Sequence, residues 1–155
     1  MSEQCDAPSL GPWRSFLHAH SRVLEVLERE LRAELGLPLS WYEVLLHLSQ
    51  APEGRRRMNH LADSVLLSKS GLTRLVDRMV VAGLVERSYC SVDRRGTYAS
   101  LTDKGRELFE RAGPIHVAGV RRHFLGHLSE ADQEALGAAL DKILEALPAH
   151  LAPAA

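Results

Sequence analysis

The sequence predicts a mainly α-helical chain carrying one small β ribbon. Three features say so: long stretches with apolar residues at helical spacing, cap and stop residues bracketing them, and a single pair of short β-prone runs near the middle. With 155 residues the chain can bury a core without disulfides or a metal, and 1–155 reads as a single domain. No window approaches ~18 consecutive apolar residues, so no transmembrane helix and no membrane partner are expected. The opening Met-Ser-Glu-Gln-Cys-Asp has neither a basic start nor an apolar run, so no signal peptide is read and a cytoplasmic location is expected.

Taken in order, residues up to Gly11 are polar and include Pro8. A long helix then runs from about Trp13 to Leu35, with Phe16, Leu17, His20, Leu24, Leu27 and Leu31 at helical spacing and Gly36 and Pro38 ending it. Ser40 and Glu43 form a capping box for a second helix, with Leu39 and Val44 as its hydrophobic staple. That helix ends near Ser49, before the turn sequence Ala51-Pro52-Glu53-Gly54. Arg55 to Met58 forms a short strand, and Asn59 caps a short third helix carrying Leu61, Ala62 and Val65.

After a Leu66-Leu67 turn comes the stretch that matters most, Ser68 to Gly83. Leu72, Leu75, Val76 and Met79 fall at i, i+3, i+4 and i+7 and make one apolar stripe. Ser70, Thr73, Arg74 and Asp77 repeat that spacing on another face, beside Lys69 and Arg78. Ser68 caps this helix and Gly83 closes it in the left-handed conformation. Two short helices joined by a tight turn, the second with a polar outer face, are a helix-turn-helix.

Leu84 to Tyr89 and Thr97 to Leu101 are the β-prone runs, joined through Ser91-Val92-Asp93-Arg94-Arg95-Gly96; a hairpin directly after a recognition helix is a wing. Thr102 caps a helix from Asp103 to about Leu125, kinked at Gly113-Pro114. Ser129, Glu130 and Asp132 open a last helix whose stripe is Leu136, Leu140, Ile143, Leu144 and Leu147. The compact unit of residues 40–101 cannot cover all the outer helices, so 12–36 and 103–148 are expected to pair with each other and with a second copy of the chain, giving a homodimer.

The net charge of −1 hides a polarised molecule. From Gly54 to Arg106 there are eleven Lys and Arg against five Asp and Glu, a net of +6, while the flanks carry −7. The basic centre is the candidate polyanion surface. No GxxxxGKS loop, GxSxG elbow, HExxH or CxxC motif is present, so no enzyme, cofactor or metal site is expected.

Several segments together resemble the MarR family of winged helix-turn-helix regulators: Leu61-Ala62, Leu67 through Met79, Gly83-Leu84-Val85-Glu86-Arg87, Asp93-Arg94-Arg95-Gly96 and Leu101-Thr102-Asp103-Lys104-Gly105. The resemblance implies a triangular helical dimer on a pseudo-palindromic operator in double-stranded DNA, acting as a repressor or activator, with repression the expected sign. It implies that Ser68, Lys69, Ser70, Thr73 and Arg74 enter the major groove. Arg94 would enter the adjacent minor groove with Asp93 orienting Arg94 and Arg95, and Arg78 would reach phosphate or pair with Asp77. It also implies release by a small aromatic or phenolic acid, for which Trp13, Arg14, His18, His20, Trp41 and Tyr42 are the candidate residues. Arg14 and His18 are i, i+4 neighbours able to face one anion, and the tryptophans could wall the site.

Other readings stay open at this point. Zinc-sensing relatives use histidines, and His116, His123 and His127 share a helical stripe, though three or four ligands with supporting partners are needed. Redox-sensing relatives use a reactive cysteine; Cys5 and Cys90 are the two present, and only Cys90 has arginines close in sequence. A winged helix serving protein contacts or dimerisation alone would lack salt-dependent, sequence-selective DNA binding, and an architectural DNA binder would lack discrimination between operator and random DNA.

Overall fold

The structure is a computed structural model that describes residues 10–65, 68–89 and 96–147. Within these residues six helices and three strands follow in the order α1 (Gly11–Leu35), α2 (Leu39–Ser49), β1 (Arg55–Arg57), α3 (Met58–Ser64), α4 (Lys69–Val81), β2 (Val85–Tyr89), β3 (Thr97–Leu101), α5 (Asp103–His123) and α6 (Glu130–Ala146). Single 3₁₀ turns at Pro52–Gly54 and Leu125–His127 complete the path. The fold class expected from the sequence is the one observed. The strands form one antiparallel sheet in the order β1-β3-β2, with Arg57 opposite Tyr98 and Val85 opposite Leu101.

The local signals held unevenly. Gly36 ends α1 with φ of 63°, and its N–H bonds back to the last turn. Gly83 has φ of 73°, with Gly83 N–H donating to Val80 O and Leu84 N–H to Met79 O, the paired bonds of a left-handed helix stop. Ser68, Thr102 and Ser129 cap α4, α5 and α6, and Ser129 makes a reciprocal capping box with Asp132.

Two expected caps are replaced. At α2 the Ser40–Glu43 box does not form; the helix starts two residues earlier, after Pro38, and Glu28 of α1 accepts the Leu39 N–H. The orphan donor is satisfied from across the fold, which frees Glu43 to sit half-buried toward His20. At α3 the helix begins at Met58 with Arg57 as its cap residue, so Asn59 lies inside it and caps nothing. The helix α5 runs on through Pro114 as one element.

The core is a continuous layer of Leu31, Leu37, Val44, Leu45, Leu48, Leu61, Leu72, Val76, Met79, Val85 and Ala99, drawn from α1 through β3 and closed by Ala112 of α5. Gly119 is where α5 crosses α1: a Cβ there would come within 2.6 Å of Leu27 Cδ2. Gly105 lies so near Leu84 O that a Cβ would stand 2.1 Å from it, so only glycine lets α5 leave the end of the sheet at this angle. Among the described residues no helix is long and apolar enough to cross a membrane.

Candidate nucleic-acid interface

The helix α4 sits with its stripe Leu72, Leu75, Val76 and Met79 inside the core, none of them more than 5% exposed. That leaves Ser70, Thr73, Arg74, Asp77 and Arg78 on the opposite, exposed side. Ser68 Oγ accepts the Gly71 N–H at 3.1 Å and lies 3.3 Å from Ser70 Oγ, so the first turn is held by a hydroxyl that still stands at the surface. Lys69 opens the helix beside it.

The end of α4 is tied to the wing and to α5 by a small polar knot. Thr102 Oγ1 donates to Gly83 O at 2.8 Å and accepts the Gly105 N–H at 3.0 Å, while Lys104 Nζ donates to Ala82 O at 2.7 Å. One threonine therefore caps α5 and anchors the stop of α4.

A second tie is not among the expectations from sequence. Arg87 of β2 ion-pairs with Asp77 at 3.0 Å and donates to Thr73 O at 3.1 Å. Asp77, expected as one option to pair with Arg78, pairs instead with the wing strand. The reason is geometric: Asp77 and Arg78 are adjacent on a helix and diverge, whereas Arg87 lies on the inward face of the sheet, opposite Ala99. The strand's alternation was the available signal, since Val85 and Arg87 must share a face.

The expected wing tip, Asp93, Arg94 and Arg95, lies outside the described residues, as do Cys90 and Cys5. The strands that carry it, β2 and β3, are closed by the pair Tyr89 and Thr97.

The residues considered for a small-molecule site divide into two groups. Tyr42 is taken into the core, stacked on Phe109 at 5.6 Å and tilted against His116 at 4.5 Å between ring centroids. Burial raises the Tyr42 phenol's pKa and lowers that of His116, so both stay neutral at neutral pH. Trp41 packs half-buried against the same core. Trp13, Arg14, His18 and His20 all stand exposed on the first half of α1, where Trp13, Phe16 and His20 form a ladder of rings about 6 Å apart.

The histidine stripe is also divided. His123 Nε2 lies 2.7 Å from Glu30 Oε1, which Arg122 also reaches at 3.1 Å, and His116 faces Tyr42. Among the described residues no group of three or more His, Cys, Asp or Glu is placed to hold a metal ion.

A helix-turn-helix whose second helix exposes hydroxyl and guanidinium groups, braced to a β hairpin directly after it, defines a winged helix-turn-helix DNA-binding protein. The MarR family model matches residues 35–96. The crystal structure of AbsC, a MarR family transcriptional regulator from Streptomyces coelicolor, superposes with a TM-score of 0.82 and 40% identity over 86% of this chain and 90% of that one. Sco3205 from the same organism, a MarR family regulator solved in complex with DNA, gives a TM-score of 0.84 and 33% identity over 92% of each chain. The HTH-type transcriptional regulator YkoM of Bacillus subtilis (strain 168) is 28% identical over 134 residues, 86% of this chain and 84% of that protein. The chain belongs to the MarR family and is a DNA-binding transcriptional regulator.

Proposed function

We propose that the protein represses transcription as a homodimer bound to a pseudo-palindromic operator. In this reading Ser68, Lys69, Ser70, Thr73 and Arg74 face the major groove, Arg78 faces phosphate, and the wing residues Asp93, Arg94 and Arg95 serve the adjacent minor groove. The observation that carries it is the division of α4: its apolar stripe is consumed by the core while Ser70, Thr73 and Arg74 remain outward on a helix fixed at both ends. Arg pairs with guanine edges, Ser and Thr reach bases or phosphate, and a narrow minor groove favours an inserted arginine.

Dimerisation is supported by the apolar surface left on the outer helices. Trp13, Phe16 and Leu17 on α1 and Ile143, Leu144 and Leu147 on α6 and its end are between 43% and 68% exposed. Between these helices runs an apolar groove of about 660 Å³, lined by Phe16, Val23, Leu24, Phe124, Leu136 and Leu140 among others. Apolar surface of this extent is the mark of an interface. A two-fold dimer would set its recognition helices roughly 34–36 Å apart, one turn of duplex. A dimer clamped across a promoter blocks polymerase, which makes repression the simplest output.

For control we infer a small aromatic acid acting through the start of α1, where the Arg14 guanidinium and the His18 imidazole stand exposed beside the ring ladder. Such a ligand would favour a dimer whose recognition helices are wrongly spaced for DNA. Trp41 and Tyr42 then contribute as core rather than as walls of the site. Calorimetric titration with benzoates and phenols, repeated on Arg14→Ala, tests this; no heat from any compound ends it.

The central test is selection of duplexes from a random pool followed by footprinting and sedimentation. The expected outcome is a two-fold-symmetric site bound by a dimer, with Arg74→Ala losing about 1–3 kcal/mol of discrimination at the base it reads. Arg94→Ala should weaken operator binding with dimerisation and melting temperature unchanged. Equal affinity for selected and scrambled duplexes would instead mark an architectural binder.

A further inference from the structure

The outer face of the wing sheet carries a cluster that neither the recognition helix nor the wing tip accounts for. Arg55 and Arg57 alternate onto one face of β1, and Tyr98 of β3 lies directly opposite Arg57. Both guanidinium groups stand over the Tyr98 ring, with their carbons 5.5 and 5.4 Å from its centroid, and Arg57 Nε donates to the phenol oxygen at 2.9 Å. Arg56, between them, turns to the inner face and donates to Ser64 Oγ at 2.8 Å.

Two cations held over one ring repel each other, and the ring quadrupole recovers only part of that cost. An anion laid across both would recover more. The phenol oxygen accepts from Arg57 and keeps its own proton to donate, so the cluster presents a fan of donors outward. Among the described residues, Glu53 ion-pairs with Arg55 at 3.1 Å in an exposed contact, and Glu86 lies opposite Ser100. Tyr98 stands one residue pair from the last pair of the hairpin. At that end β1 runs straight into α3, the helix that in this motif crosses the DNA backbone.

We propose that Arg55, Arg57 and Tyr98 form a sequence-blind phosphate-binding surface that grips the DNA backbone flanking the bases read by α4. It rests on the DNA-binding mode argued above and extends each half-site outward along the backbone. Because it meets only phosphate, it adds affinity and salt dependence but no base preference.

The test is a fluorescence anisotropy titration across a salt series. It uses the tightest duplex from the random pool and a scrambled duplex of the same length. Arg57→Ala and Arg55→Ala should each lower the slope of log affinity against log salt by about 0.9, the value of one neutralised phosphate, and weaken both duplexes by the same factor. Tyr98→Phe should weaken both with the slope kept, since it removes a donor and no charge. Arg29→Ala, an exposed arginine of α1 paired with Glu25, is the control and should change neither. If Arg57→Ala melts early, Arg57→Gln removes the charge while keeping a donor for the phenol. Unchanged slopes in both arginine variants, or a loss confined to the selected duplex, would overturn the proposal. A wild-type protein that binds neither duplex in a salt-dependent way sinks the DNA-binding mode beneath it and this surface with it.

Discussion

The lobe from α2 to β3 and the helices at the two ends of the chain carry apolar stripes of similar regularity, yet they are covered to very different degrees. In the lobe Val44, Leu45, Leu48, Leu61, Val76 and Met79 are all completely enclosed. The helix α6 buries no residue at all, and α1 buries only Leu27 and Leu31, both in its second half. One region closes on itself within a single chain; the other leaves faces that are dry only when something else lies on them. Amphipathic spacing announces that a face will be covered, without saying by whom.

The sharpest way to break this contrast is to truncate one leucine in each region. Leu45→Ala should cost about 2–5 kcal/mol whatever the protein concentration, because it opens a cavity inside the lobe. Leu144→Ala should leave the lobe intact and shift the monomer–dimer balance, so that its effect on melting depends on concentration. Thermal melts over a concentration series, with sedimentation alongside, separate the two. A Leu144→Ala loss as large and as concentration-independent as that of Leu45→Ala would erase the distinction.

Next in size is Arg87→Ala, which removes the tie between β2 and α4. Its side chain is 27% exposed, and its guanidinium holds both Asp77 and Thr73 O. Discounted for that exposure, the ion pair and the hydrogen bond should together contribute about 1–2 kcal/mol to lobe stability. Operator affinity should fall further than stability alone explains, since helix and wing lose their fixed angle. Denaturant midpoints and DNA titrations on Arg87→Ala and Arg87→Lys report both; full affinity in Arg87→Ala would show that the two elements dock independently.

How much of this is legible in the sequence depends on how local the cause is. The helix stops at Gly36 and Gly83 and the caps at Ser68, Thr102 and Ser129 are decided by a few neighbouring residues, and each is readable. The cap of α2 is not, because Glu28 supplies it from eleven residues away and displaces the Ser40–Glu43 box. The outward face of α4 follows from period alone, whereas the pairing of Asp77 with Arg87 requires knowing which face of β2 meets the helix. Tyr42 looks available to a ligand until Phe109 and His116 of α5, more than sixty residues on, are stacked against it.

Ser68 gives a smaller effect that bears on the lobe's working face. Ser68→Ala should cost about 1 kcal/mol by uncapping α4. Ser68→Asp should keep that stability, since a carboxylate also caps and suits the helix dipole, yet weaken DNA binding by repelling phosphate. Paired melts and titrations on the two variants separate the capping role from the meeting with DNA; equal DNA affinity in Ser68→Asp and wild type would remove Ser68 from the interface.

The smallest expected effect lies on the border between the two regions, where Glu30 of α1 meets Arg122 and His123 of α5 beside the crossing at Gly119. The hydrogen bond with His123 lowers the Glu30 pKa below its ordinary value of 4.5; burial opposes this in part, and the charges of His123 and Arg122 add to it. A carboxylate whose pKa is depressed by folding stabilises the native state fully above its unfolded pKa and ceases to do so as pH falls through the folded value. Glu30→Gln should therefore melt slightly below wild type at pH 6, by less than about 1 kcal/mol for a cluster still partly open to solvent, and the gap should close as pH drops below about 4.5. Melts of both proteins from about pH 6 down to about pH 3 check the sign. A gap that widened on acidification would mean that the carboxylate is held in its protonated form, and that α1 and α5 are joined at this point by packing around Gly119 and Leu27 and not by charge.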